Sequence, residues 1–367
     1  MQELLDLESF DPTGLRASWH PYQLNFKVPG GTSRGVLKTK DTWFIKVWRK
    51  SDPSVFGIGE CGMFRGLSFD DVPTYESMLT ELCTNIEMFP NYLSYGLLLY
   101  PSIHFGLEMA LLDLMNGGQR EVVKSNLMEG ESGIRINGLI WMGELSFLKE
   151  QIAKKLETGF TCLKLKIGSL PFEDEIKVLE ELRKDYAADK LELRVDANGA
   201  YSKDEAKEVL KALKALSIHS IEQPIKAGNW KDMAELCDAA PCPIALDEEL
   251  IGIHEKRDKR GLLNYVMPQY IILKPTLIGG IRGSMEWIEA AEKAGVKWWI
   301  TSALESNIGL NAIAQFTSKL LAENPRRQMP QGLGTGQLFT NNIASPLSLR
   351  SEYLFYEPNS HWSIPTL

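Results

Sequence analysis

Only five of the 367 residues are cysteine (Cys61, Cys83, Cys162, Cys237 and Cys242), and no two are spaced as CxxC. Their number is odd and they lie mostly inside apolar runs, so neither a disulfide framework nor a cysteine zinc site is expected; they read as reduced buried thiols. Histidine is equally sparse. His20, His104, His219, His254 and His361 include no pair at metal-ligand spacing. No stretch approaches ~20 uninterrupted apolar residues, so no membrane-crossing helix is expected. The opening residues MQELLDLESF are acidic, with no basic segment, so no secretory leader is expected. Basic charge is in deficit: 40 Lys and Arg stand against 48 Asp and Glu, a net charge of −8. Nucleic acid and anionic membrane surfaces are therefore disfavoured as partners. Low-complexity runs and flexible linkers are missing. What remains is a cytoplasmic globular protein acting on a small molecule, with no signal that sets an oligomeric state.

The chain is too long for one small core, so a large barrel or two domains is expected. TGLRASWHPYQLNF, GVLKTKDTWFIKVWRK and VFGIGECG read as strands. FDDVPTYESMLTELCTNIEMF and PSIHFGLEMALLDLMNG then show helical spacing. Residues 1–130 thus form an α+β unit. From about Ile134 strand and helix alternate. The strands are IRINGLIWM, TCLKLKIG, LELRVDAN, HSIEQP, PIALDEE, QYIILKP, VKWWITSA and a short one near QGLG. Eight such repeats predict an α/β fold, a (β/α)8-type barrel over residues 131–340. An open doubly wound sheet would place a glycine-rich loop after its first strand, and NGLIWMGE is not one. The aromatic tail, residues 341–367, is expected to return to the first unit.

Barrel enzymes carry their chemistry at the C-terminal ends of the strands. Side chains alternate along a strand, so Lys164 and Lys166 share the inward face while Leu163 and Leu165 face the helices. The same alternation turns Asp196 and Asn198, Glu222 and Asp247 inward on the next three strands. Three carboxylates converging on one point repel, and a hard divalent cation resolves this. Mg²⁺ is the natural choice, with Mn²⁺ a possible substitute. Lys274, at the end of the sixth strand, faces Lys166 across the mouth. A carboxylate substrate held between them is suited to loss of its α-proton to an amine, with the metal stabilising the enediolate. The base must have a lowered pKa, and Lys164 and the metal act in that direction. Ion pairing with the carboxylates is the alternative role for each lysine. A Schiff-base lysine is a different enzyme class open to the same residues. After the seventh strand, Ser302, Glu305 and Ser306 could contact the distal part of a substrate; equally, Ser302 could cap a helix with Glu305 three residues on. The connector IGIHEKRDKRGLLNYVMPQY between the fifth and sixth strands is long and carries a charge cluster that reads as a solvated face.

The motifs KLKIG, RVDAN, IEQP, LDEE and ILKP, one per strand in this order, closely resemble the enolase superfamily, in its muconate-lactonizing-enzyme-like subgroup. The resemblance implies a modified TIM barrel capped by an α+β domain built from both chain ends. It implies Asp196, Glu222 and Asp247 as Mg²⁺ ligands, Lys166 as base, Lys274 on the opposite face, and Lys164 and Asn198 in support. GIGECGMFRGLS resembles the loop of the capping domain that covers substrate, making Cys61–Ser68 a lid. ITSALESNIGL and GLGTGQLF resemble segments of the dehydratases of that subgroup. Those lyases act in menaquinone biosynthesis by dehydrating 2-succinyl-6-hydroxy-2,4-cyclohexadiene-1-carboxylate. N-succinylamino acid racemases and dipeptide epimerases, which share the scaffold, are the alternative.

Overall fold

The computed structural model describes residue 7 and residues 9–32, 35–324 and 327–364. Three antiparallel strands open the chain: β1 (Leu15–Thr32), β2 (Gly35–Arg49) and β3 (Asp52–Cys61), in that spatial order. Helices α1 (Tyr75–Thr84) and α2 (Pro101–Met115) follow. The long helical run expected up to Phe89 breaks at Asn85, the C-cap of α1, and continues as short turns. Every residue of α2 but the last is buried, as befits a helix that is apolar on nearly all sides. It lies against β3 at backbone contact. A Cβ on Gly57 or Gly59 would come within 1.8 Å of the carbonyl oxygen of Ala110 or Gly106, so only glycine permits this approach.

The expected first barrel strand is two strands. β4 (Ile134–Arg135) pairs antiparallel with the tail, and β5 (Gly138–Ile140) enters the barrel. The break is fixed from far along the chain: Ile136 N–H bonds the Glu352 carbonyl, and Asn137 N–H bonds that of Gln331. β6 (Cys162–Lys166), β7 (Glu192–Asp196), β8 (Ser220–Glu222), β9 (Ile244–Leu246), β10 (Tyr270–Leu273) and β11 (Lys297–Ile300) complete a parallel sheet ordered as in the chain. The eighth position is not a strand of its own. Gln331 bridges Ile136 and Gly332 bridges Thr301, both in parallel sense, and these bonds join the two edges of the sheet.

Helices α3 (Leu145–Glu157), α4 (Phe172–Asp185), α5 (Lys203–Ala215), α6 (Trp230–Asp238), α7 (Lys256–Val266), α8 (Gly280–Ala294) and α9 (Asn307–Glu323) alternate with the strands. The charged connector, residues 251–270, presents a solvated face at residues 255–258 and forms α7. It buries Leu262, Leu263 and Val266, and its buried Lys259 donates to Glu286 of α8 at 2.8 Å. The tail hairpin, β12 (Leu347–Arg350) and β13 (Tyr353–Tyr356), joins β4. Asn341 and Ile343 reach the first unit instead: Tyr22 Oη donates to the Asn341 carbonyl, and Ile343 packs with Phe44 and Ile58. The cysteines are free thiols, and among the described residues no helix is long and apolar enough to cross a membrane.

Candidate active site

Parallel register sets the ends of β6, β7 and β8 level, with Lys166 opposite Asp196 and Asp196 opposite Glu222. Asp247 follows the last residue of β9, and Lys274 the last of β10. The inward-facing residues of five strand ends therefore meet in one buried cluster. Lys164 Nζ lies 2.5 Å from Glu222 Oε2 and 2.9 Å from Asp196 Oδ2. Lys166 Nζ lies 2.8 Å from the same Asp196 oxygen and donates to Asn198 Oδ1 at 2.5 Å. On the far side Lys274 Nζ donates to Asp247 Oδ2 and stands 3.8 Å from Glu222 Oε1. Three ammonium groups thus neutralise three buried carboxylates at the floor of the barrel mouth. The ion pairing weighed as an alternative role is what the lysines do in this structure.

The electrostatics follow from that balance. Burial disfavours the charged form of Lys164, but Asp196 and Glu222 outweigh it and raise its pKa. Burial likewise opposes the charge on Lys274, and Asp247 and Glu222 hold it well above the ordinary lysine value. Asp196 is held far below the carboxylate range, because Lys164 and Lys166 overcome its burial. Glu222 moves the other way, raised by burial and by Asp196.

Asn198 sits just beyond β7 with φ 45°, a left-handed conformation that asparagine tolerates. Its amide donates to Glu248 Oε1 at 2.9 Å while its carbonyl takes Lys166, so it ties β7 to the segment after β9. Gln223, absent from the sequence reading, does similar work. Its side-chain carbonyl accepts from Asp247 N–H at 3.1 Å and its amide donates to Glu249 at 3.0 Å.

Above the lysines opens a cleft of about 730 Å³, part of it open to solvent. Lys164, Lys166, Lys274 and Asn198 form its polar floor, and Phe64 and Leu67 of the expected lid cover it. Ser302 lines it, whereas Glu305 and Ser306 do not. Glu305 is fully buried behind the wall, accepting from Ser302 Oγ at 2.5 Å and Ala303 N–H at 2.8 Å. Ser306, not Ser302, is the helix cap: its Oγ accepts from Ile308 N–H at 3.2 Å at the start of α9. It also donates to Glu60 of β3 at 2.5 Å. Trp141 lines the cleft as well; Asn137 and Thr301 also line it and were not singled out in the sequence. Their signal was position, at the entry or exit of a barrel strand, without a charge to draw notice.

The donor set of Asp196, Glu222 and Asp247 is all carboxylate oxygen, which suits a hard dication. Glu222 Oε1 is buried with no hydrogen-bond partner, an oxygen left for a cation to take. Asp196 Oδ2, Glu222 Oε2 and Asp247 Oδ2 turn to the lysines, and among the described residues no group of three or more His, Cys, Asp or Glu side chains is gathered to hold a metal ion.

A capped barrel with such a cluster at its strand ends defines a class, and residues 148–342 match the family described as enolase C-terminal domain-like. The chain belongs to that family, within the enolase superfamily. It is 42% identical to the o-succinylbenzoate synthase of Desulfotalea psychrophila (strain LSv54), over 92% of this chain and 98% of that protein. The crystal structure of MenC from the same strain superposes with a TM-score of 0.82 at 39% identity, covering 94% of this chain and all of that one. A dipeptide epimerase from Enterococcus faecalis V583, solved with Mg and L-Leu-L-Tyr, shares the fold at 18% identity and TM-score 0.78, covering 94% of this chain and 97% of that one.

Proposed function

We propose that this chain catalyses the o-succinylbenzoate synthase reaction. It is a lyase that removes water from 2-succinyl-6-hydroxy-2,4-cyclohexadiene-1-carboxylate with syn geometry, in menaquinone biosynthesis. The observation that carries this reading is the likeness to the Desulfotalea synthase along nearly its whole length, with Lys166 and Lys274 both lining the cleft. The division of labour follows the chain: residues 1–130 as cap, 131–340 as catalytic barrel, 341–367 as the returning tail.

Asp196, Glu222 and Asp247 would hold Mg²⁺, once the Lys164 and Lys274 ammonium groups give up their carboxylate oxygens. When bound, the ion supplies positive charge for the substrate carboxylate as negative charge builds on it. Lys166, in its neutral form, takes the proton from the ring carbon bearing that carboxylate. Asp196 and Asn198 aim its Nζ from below. The C–H electron pair becomes a ring double bond, the C–O bond of the neighbouring carbon breaks, and the hydroxyl leaves as water with the proton Lys166 took. Ring aromaticity drives the step. Lys274 stays an ammonium on the opposite face, holding the electron-rich ring by charge and cation–π contact. Phe64 and Leu67 give the cleft apolar lining beside the lysines.

The test is a direct assay with the cyclohexadiene substrate, following the aromatic product, with Mg²⁺ and then with excess chelator. Turnover is expected only with the ion. Efficient racemisation of N-succinyl amino acids beside poor dehydration would replace this reading by a racemase. A product adduct trapped by borohydride would replace it by Schiff-base chemistry.

A further inference from the structure

Beyond the lysines, the cleft carries two buried polar atoms that nothing in the protein satisfies. Asn137 Oδ1 and Thr301 Oγ1 have no hydrogen-bond partner, and the two residues are 4% and 9% exposed. Both line the cleft. A buried polar group left unpaired is costly, so two on one wall mark a place where a ligand supplies the partner.

The eighth barrel position brings them together. Gln331 bridges Ile136 and Gly332 bridges Thr301, so Asn137 and Thr301 flank Gly332. A Cβ at position 332 would lie 2.4 Å from Thr301 Oγ1, so the threonine hydroxyl fills the space a side chain would take. The result is a neutral notch with an amide on one side and a hydroxyl on the other. Among the described residues the cleft lining holds no Arg, His, Asp or Glu, and its only charges are the three lysines of the floor. A carboxylate in the notch would lack a cation, whereas a ketone oxygen needs only one or two neutral donors. Thr301 can donate directly. The Asn137 amide presents its NH2 at the place of Oδ1 after a half-turn.

Resting on the dehydratase reading above, we propose that Asn137 and Thr301 bind the ketone oxygen of the substrate's acyl side arm and so select a carboxylate bearing that arm. The probes are o-succinylbenzoate and 2-(3-carboxypropyl)benzoate, which differ only in that oxygen, titrated calorimetrically into the Mg²⁺-supplemented full chain. Wild type is expected to bind the ketone about tenfold or more tightly than the deoxo compound. Thr301→Val and Asn137→Leu each lose most of that preference and leave deoxo affinity within about twofold. Thr301→Ser keeps it, because the hydroxyl remains. The proposal is overturned if wild type binds neither ligand or does not discriminate. It is equally overturned if the variants weaken both ligands alike, or if Thr301→Ser behaves as Thr301→Val. Wild type that discriminates but does not dehydrate removes the dehydratase reading and keeps the notch. Wild type that dehydrates without discriminating removes the notch alone.

Discussion

The lysines of the barrel mouth share one row of carboxylates, yet their surroundings are unequal. Lys166 is held by Asp196 and by the neutral carbonyl of Asn198, while Lys274 faces Asp247 and Glu222. In a syn-dehydration one base suffices; a racemase needs one on each face. Lys166→Ala should therefore abolish dehydration and α-proton exchange together. Lys166→Arg should be nearly as damaging, because a guanidinium stays protonated and cannot accept the proton. Lys274→Arg keeps the charge opposite the ring and should retain measurable activity, whereas Lys274→Ala loses far more. The measurement is kcat/KM of the four variants on the cyclohexadiene substrate, with deuterium exchange into N-succinyl amino acids. Equal loss in the two Lys274 variants would remove its electrostatic role. For the carboxylates, Asp196→Asn, Glu222→Gln and Asp247→Asn should each lower turnover by roughly 10³-fold with the fold intact. Added Mg²⁺ that restores full rates would show that these oxygens are dispensable.

Among the elements, α9 shows how a helix start can look like a binding motif. Ser302, Glu305 and Ser306 stand in sequence as a polar cluster after a barrel strand, and their types alone do not say which faces the substrate. The structure separates them through a partner far away in the chain: Glu60 of β3 accepts from Ser306 N–H at 2.8 Å, Ser306 Oγ at 2.5 Å and Gly309 N–H at 2.9 Å. A carboxylate at a helix N-terminus is favoured by the unpaired N–H groups there. Ser306→Ala should then destabilise the protein by about 1–2 kcal/mol, seen as a lower denaturation midpoint, with KM unchanged. A raised KM at unchanged stability would return Ser306 to the substrate. The same distinction explains what could be read in advance. The strand ends were legible because Lys164, Lys166 and Asp196 interrupt apolar alternation at fixed period. α7 was not, because its apolar side is short and its buried Lys259 depends on Glu286 of the next helix. The break after β4 was not, because Glu352 and Gln331 impose it from the other end of the chain.

For the whole molecule, the junction of the first unit with the barrel carries a titratable group that the chemistry does not use. Glu108, buried in α2, accepts from the first N–H groups of α8, Ile281 at 2.7 Å and Arg282 at 3.1 Å. Burial nevertheless pushes its pKa from 4.5 up to about 8. The folded protein thus holds a proton that the unfolded chain releases. The stability this contributes is full below the unfolded pKa and is lost as pH rises through the folded one. His104, with Nδ1 3.6 Å from Glu108, is held down from 6.5 to about 4 by burial. Its contribution has the opposite sign: present above 6.5 and lost as pH falls through about 4. Arg282 favours the carboxylate and Glu286 opposes it. Between the unfolded pKa of Glu108 and that of His104 the two slopes cancel in part; above the latter, Glu108 acts without that opposition. Glu108→Gln has no proton to lose there and keeps one acceptor for α8. Between about pH 6.5 and pH 8 its stability relative to wild type should improve by on the order of 1–2 kcal/mol, read from urea unfolding at the two pH values. A difference that does not change with pH would mean that Glu108 is ionised in the folded protein throughout, held so by the N-terminus of α8.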